Sequence, residues 1–243
     1  MKNTFIIIRR ELGAYLSSPV AYVFLVIFLL LASFLTFMGS NFFKEGQVSA
    51  AGFFYWHTWL FLVFVPAIGM RLWAEERRQG TLELLFTLPI SQTEAIIGKF
   101  FAGWIFMGLA LLLTFPFPAT LYYLGHPDTG CILTGYLASF LIAGVCLAVS
   151  SATSATTRNQ VVSFVSSLAI CLLLVLAGFP PITNLLLKWN APNALVEWIA
   201  SFSIVFHASA MQRGVLDIRD IFYFVAIIIF CLSVTGLVLR HRR

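Results

Sequence analysis

Long uncharged apolar runs alternate with short polar breaks along this chain, and that rhythm predicts its architecture. Six runs stand out, at 20–39, 54–72, 100–124, 132–153, 161–178 and 221–239. A helix needs about 20 consecutive apolar residues to cross a hydrocarbon core about 30 Å thick, and each run comes close to that length. The pattern predicts an all-α integral membrane protein with six transmembrane helices. Ahead of the first run, residues 1–19 follow a different rule. At helical pitch Phe5, Ile8, Leu12, Tyr15 and Leu16 fall on one side and Arg10 opposite, with Ile7 off the apolar face. Such a segment lies in the inner membrane surface as a short amphipathic helix, or else merely prolongs the first span. Ser17, Ser18 and Pro19 end it, because the residue before proline avoids the α region.

The connection 179–220 is not polar like an ordinary loop. Leu185, Trp189, Val196, Trp198, Ile199 and Phe206 recur between Pro180-Pro181, Pro192 and the turn at Gly214. Interfacial or re-entrant helices satisfy that composition, provided their backbone groups are bonded internally. Asp217 or Asp220 then stands near the start of the last helix. The Phe115-Pro116-Phe117-Pro118 element is expected to bend or break the third span.

Between the second and third runs sits a charged island, and it holds seven of the chain's 25 charged residues. Gly80 is expected to break the helix that carries Glu75, Glu76, Arg77 and Arg78. Thr81 can cap a short helix over 82–88, with Pro89 ending it. Ser91 and Glu94 have the spacing of a capping box, so a new helix starts there and rises through Gly98-Lys99 into the third span. The stretch 73–99 thus reads as a hairpin with a transverse helix at its tip.

Composition agrees with the membrane reading: 60% of residues are hydrophobic, 10% charged, and mean hydropathy is +0.94, against about 25% charged in soluble domains. The net charge of +5 does not imply a nucleic-acid partner, because the basic residues flank spans. With the N-terminus inside, eleven Lys and Arg residues fall on the inner side and four on the outer. The positive-inside rule then puts both termini and the island in the cytoplasm. Arg9-Arg10 is read as topogenic, and no segment is expected to be removed as a signal peptide. The four cysteines show no zinc-like spacing and read as free thiols.

The series Glu75-Glu76-Arg77-Arg78-Gln79-Gly80-Thr81-Leu82-Glu83, followed by Leu88-Pro89-Ile90-Ser91 and Gly98-Lys99, resembles the signature of ABC-2 type transporter permeases. The segment Arg10-Glu11-Leu12 to Ser18-Pro19 is similar to that family's elbow. The region from His207 to Tyr223 looks like its gliding-motility-associated subgroup. The resemblance implies one transmembrane permease domain over 1–243 in a bacterial cytoplasmic (inner) membrane, working as a homo- or heterodimer and acting as an exporter. It further implies a cytosolic ATP-binding cassette subunit that holds ATP and Mg, no cofactor on this chain and no catalysis by it. An auxiliary outer-facing subunit and membrane lipid complete the implied partners. Docking is implied for Glu75, Glu76, Arg77, Arg78, Gly80, Thr81, Leu82, Glu83 and Pro89, with Arg9, Arg10 and Glu11 of the elbow alongside. A chain without a large outer domain does not support roles that need one.

Several alternatives stand beside this reading. The island's charges either dock a partner or only solvate the hairpin and fix topology. They lack the His, Cys or metal-ligand spacing that catalysis would use. His57 reads as an interfacial structural histidine rather than a pathway ligand, and His126 and His207 have no nameable partner. The small residues Ser150–Thr157, Ser163, Ser166 and Ser167 suit close packing or else a polar pathway wall. Without an ionisable residue at the middle of a span, energy is expected to arrive from outside the membrane part. A non-transporting anchor or force-transmitting subunit of an ATPase complex is the alternative to a permease.

Overall fold

The computed structural model describes residues 2–40, 49–81, 90–188 and 192–241, and every regular element in them is helical. Helix α1 covers Lys2–Ser17 and α2 covers Pro19–Phe34, continued by a π-helical stretch over Leu35–Gly39. Proline suits that first position, where the helix has no use for its missing N–H. Next come α3 (Ala51–Gly69) and α4 (Arg71–Gln79), then α5 (Gln92–Leu112) and α6 (Pro116–Leu124). The chain finishes with α7 (Thr129–Thr156), α8 (Gln160–Leu176), α9 (Pro180–Lys188), α10 (Asn193–Ala200), α11 (Ile204–Gln212) and α12 (Ile218–His241).

Among the described residues, five helical stretches are long and apolar enough to span a membrane: Pro19–Gly39, Ala51–Gln79, Gln92–Leu124, Thr129–Thr156 and Ile218–His241. The expected fifth span, 161–178, is the shorter α8 of 17 residues; at 1.5 Å per residue it reaches about 25 Å. A further apolar pair, α10 and α11, passes the same test jointly but is bent by 70°, the shape of a broken span or a re-entrant loop. The second and third spans extend well past their apolar runs, because their helices continue into the charged island. As the Phe-Pro repeat predicts, the third span breaks, between Leu112 and Pro116.

Helix α7 is the hub, with α12, α3, α8, α11, α5 and α4 packed around it. Lipid supplies no hydrophobic drive for helices to associate, so close approach through small side chains has to do so. Helix α7 provides them: Ser139, Ala143, Gly144, Ser150 and Ser154 are all buried. The serines pack and tie helices together here. Ser154 Oγ donates to the Met70 carbonyl at 2.9 Å and accepts from the Trp73 and Ala74 N–H groups at 3.0 Å. By contrast, α2 and α12 expose Val23, Leu30, Phe222 and Phe230, an apolar surface suited to lipid or to another membrane subunit.

Three sequence expectations need correction. Ile7 is buried and Phe5 is 68% exposed, so the packed face of α1 is rotated from the projected one. The cause is a notch on α5: a Cβ at Gly98 would lie 2.7 Å from Ile7 Cγ2, so only glycine admits that side chain. His57 is fully buried rather than interfacial, donating from Nδ1 to the Phe53 carbonyl at 2.7 Å among the rings of Phe28, Phe53 and Phe61. His207 does have a partner. Its Nδ1 sits 2.6 Å from Asp220 Oδ1, its Nε2 3.0 Å from the Ser201 carbonyl, and its ring stacks on Tyr223.

Candidate functional site

Helix α4 is strongly amphipathic. Leu72, Trp73 and Ala74 are buried, whereas Arg71, Arg78 and Gln79 are exposed. Its buried edge is fixed by side-chain chemistry as well as by shape, since Trp73 Nε1 donates to Ser151 Oγ at 3.0 Å. Gly80 ends the helix at φ +71°, ψ 10°, a left-handed conformation that glycine adopts without Cβ strain, and its N–H bonds the Glu76 carbonyl. Thr81 Oγ1 also donates to the Glu76 carbonyl, at 3.4 Å. Residues 82–89, which include Leu82, Glu83 and Pro89 and the expected transverse helix over 82–88, lie outside the described residues.

The capping box is present: Ser91 Oγ accepts from the Glu94 N–H at 3.2 Å, and Glu94 Oε2 accepts from the Ser91 N–H at 3.0 Å. It sets the start of α5 and hence the depth of every residue after it. Lys99 stands about 12 Å up the helix at 1.5 Å per residue. There it is 4% exposed, far from the solvated topology charge that sequence reading makes of it.

Around Lys99 the elbow and the hairpin meet. Its Nζ lies 2.8 Å from Glu76 Oε1 and 3.3 Å from Glu11 Oε1, and 5.4 Å from the centre of the Trp73 ring. Arg10 adds a further pair to Glu11 at 2.8 Å. The chain Arg10–Glu11–Lys99–Glu76 is therefore neutral overall, which is what makes its partial burial tolerable. The Glu11 carboxyl is held below the usual carboxylate range. Burial pushes it up, but the Lys99 ammonium and the Arg10 guanidinium together outweigh that. Glu76 Oε2 is buried and has no hydrogen-bond partner among the described residues.

The predicted docking residues thus divide by side of the helix. Glu76 and Glu11 turn inward and hold α4 and α1 to α5. Arg9, Arg10, Arg78 and Gly80 are exposed, with Glu75, Arg77 and Thr81 at the margin; Glu75 Oε1 accepts from Gln79 Nε2 at 3.3 Å. The outward residues lie on two helices, α1 and α4, that Glu11 and Glu76 each tie to Lys99 of α5. Lys99 is the member that sequence reading missed. The signal was available: a capping box eight residues upstream already put this lysine two turns inside a helix of apolar residues.

The family model of the ABC-2 family transporter proteins matches residues 5–218, from the elbow through the island to the start of α12. The chain belongs to that family. It is accordingly a multi-pass transmembrane permease of an ABC transporter, a membrane subunit that is not itself catalytic. Permeases of this family work with an ATP-binding subunit. A search of curated proteins gave no match.

Proposed function

We propose that this permease exports its cargo across a bacterial cytoplasmic (inner) membrane, driven by ATP and Mg bound in a separate cytosolic ATP-binding cassette subunit. That subunit docks on the outward face of α4 at Glu75, Arg77, Arg78, Gly80 and Thr81, with Leu82, Glu83 and Pro89 beyond it and Arg9 and Arg10 of the elbow alongside. A second permease, identical or not, completes the pathway. The gliding-motility-associated subgroup and an auxiliary outer-facing subunit belong to the same proposal.

The buried Lys99 clasp is the observation that carries the reading. It ties α1, α4 and α5 into one unit at the cytoplasmic end. A push on the exposed side of α4 is then passed to the foot of the third span instead of being absorbed locally. Ser154 and Ser151 pass the same push to α7.

The test is co-purification from native membranes in mild detergent, with bound proteins identified by mass spectrometry. Wild-type permease is expected to retain an ATP-binding cassette protein. The double reversal Glu75→Lys/Arg78→Glu, outside the Lys99 clasp, is expected to release it without lowering the melting point. Retention by the reversed variant would overturn the docking face, and a wild-type chain recovered alone would overturn the partnership.

A further inference from the structure

An open groove of about 490 Å³ runs between the first turns of α5 and the last turns of α12. Both stretches lie at the same end of their spans, the end that the basic residues assign to the cytoplasm. Its walls are apolar: Ile96 and Ile97 on one side, Ile229 and Leu237 on the other. Ile229, Leu237 and Ile97 are 59%, 64% and 40% exposed, so the protein itself leaves them uncovered.

The few polar groups nearby are already spent. Ser233 Oγ donates to the Ile229 carbonyl at 2.8 Å, and Gln92 Nε2 donates to the Gly236 carbonyl at 3.1 Å, which ties the two helices together at the groove. One cation remains at the mouth. Arg240 lines the groove, is exposed, and makes no ion pair among the described residues. Arg242 and Arg243 follow it in the sequence.

An apolar slot in the cytoplasmic half of the membrane, ending in unneutralised positive charge, fits one kind of occupant. We infer that the groove is a binding site for an anionic phospholipid of the cytoplasmic leaflet, with an acyl chain between α5 and α12 and the phosphate against Arg240. The volume lies in the range of small-molecule sites, about 300–1,000 Å³. Basic pockets between spans on the cytoplasmic side are the expected setting for anionic headgroups. The site rests on the placement of the spans in the membrane and is independent of the ATPase docking face.

The experiment is native mass spectrometry of the full-length permease released from nanodiscs of mixed phosphatidylcholine and phosphatidylglycerol. Wild type is expected to retain phosphatidylglycerol in excess of its bilayer fraction. Arg240→Gln is expected to cut that preference about fivefold, the weight of one basic side chain at an anionic surface, while lipid is still retained. Gly236→Phe fills the groove and is expected to remove retained lipid of both classes. A Cβ at Gly236 meets only Ile96 Cδ1 at 3.6 Å, so the helix pair accepts the start of a larger side chain. Arg158→Gln, on the same side of the membrane but outside the groove, is expected to leave the preference intact. Retained lipid in the bulk ratio, or an unchanged preference in Arg240→Gln, would overturn the inference. So would ready disulfide cross-linking of two chains through Leu237→Cys, which would give the groove to a second copy.

Discussion

Replacing Lys99 by methionine keeps the four-atom apolar stem of the side chain and removes its ammonium. Glu11 would keep Arg10 at 2.8 Å, but Glu76 would lose its ion pair while its other oxygen has no hydrogen bond among the described residues. Removing one member of a buried ion pair costs about 3–5 kcal/mol, mostly for the charge left behind. Both glutamate side chains are 18% exposed, so water reaches them and screens the loss to below that range, about 2–3 kcal/mol. At about 2–4 °C per kcal/mol for a chain of this size, the melting point should fall by about 5–10 °C. Cys146 and Cys171 are buried free thiols, so a thiol-reactive fluorophore reads the transition in detergent. The second variant makes the argument sharp. Lys99→Met/Glu76→Gln also neutralises the stranded carboxylate and should recover at least half the loss, a coupling that only interacting residues show. If Lys99→Met melts with the wild type, or the double variant melts below the single one, the clasp does not carry the energy assigned to it.

Two further perturbations test the seating of the elbow. Gly98→Val puts a side chain where Ile7 sits, 2.7 Å from Cγ2, and should destabilise by about 1–3 kcal/mol in the same thermal assay; Ile7→Ala in that background should restore part of the loss. Glu11 gives a pH dependence. Its carboxyl is held below its unfolded value of 4.5, so its contribution is complete above that value and is lost as pH falls through the folded one. Thermal melts from pH 6 downward should fall less steeply below about pH 4.5 in Glu11→Gln than in the wild type.

What the sequence made legible and what it hid have physical reasons. Hydropathy announced the spans because apolar runs are one-dimensional signals, and Gly80 and Ser91 announced helix ends because caps are local. The Lys99 clasp joins residues 88 positions apart in the elbow and 23 apart in the hairpin, and no periodicity reports such a pairing. The elbow's face was misjudged for a similar reason. Amphipathic projection assumes a uniform apolar environment, whereas Ile7 is selected by a single glycine notch on another helix. His207 and Asp220 lie only 13 residues apart, and the turn at Gly214 between them was legible, but not which side chains it brings together.

The placement of polar contacts also suggests which parts of the molecule move together. Buried ion pairs add little net stability compared with well-packed apolar groups, so a neutral four-charge chain is better understood as fixing one arrangement of α1, α4 and α5. Trp73 joins that arrangement to α7, since its ring lies under Lys99 and its indole N–H bonds Ser151. Helix α7 in turn contacts most of the other spans. Helix α4 is therefore linked to the hub by a continuous series of contacts, whose last step, the Trp73–Ser151 bond, is fully buried. The outer faces of α2 and α12 are by contrast apolar and exposed. In the proposed docking arrangement, the push would be received at this one tied corner of α1, α4 and α5.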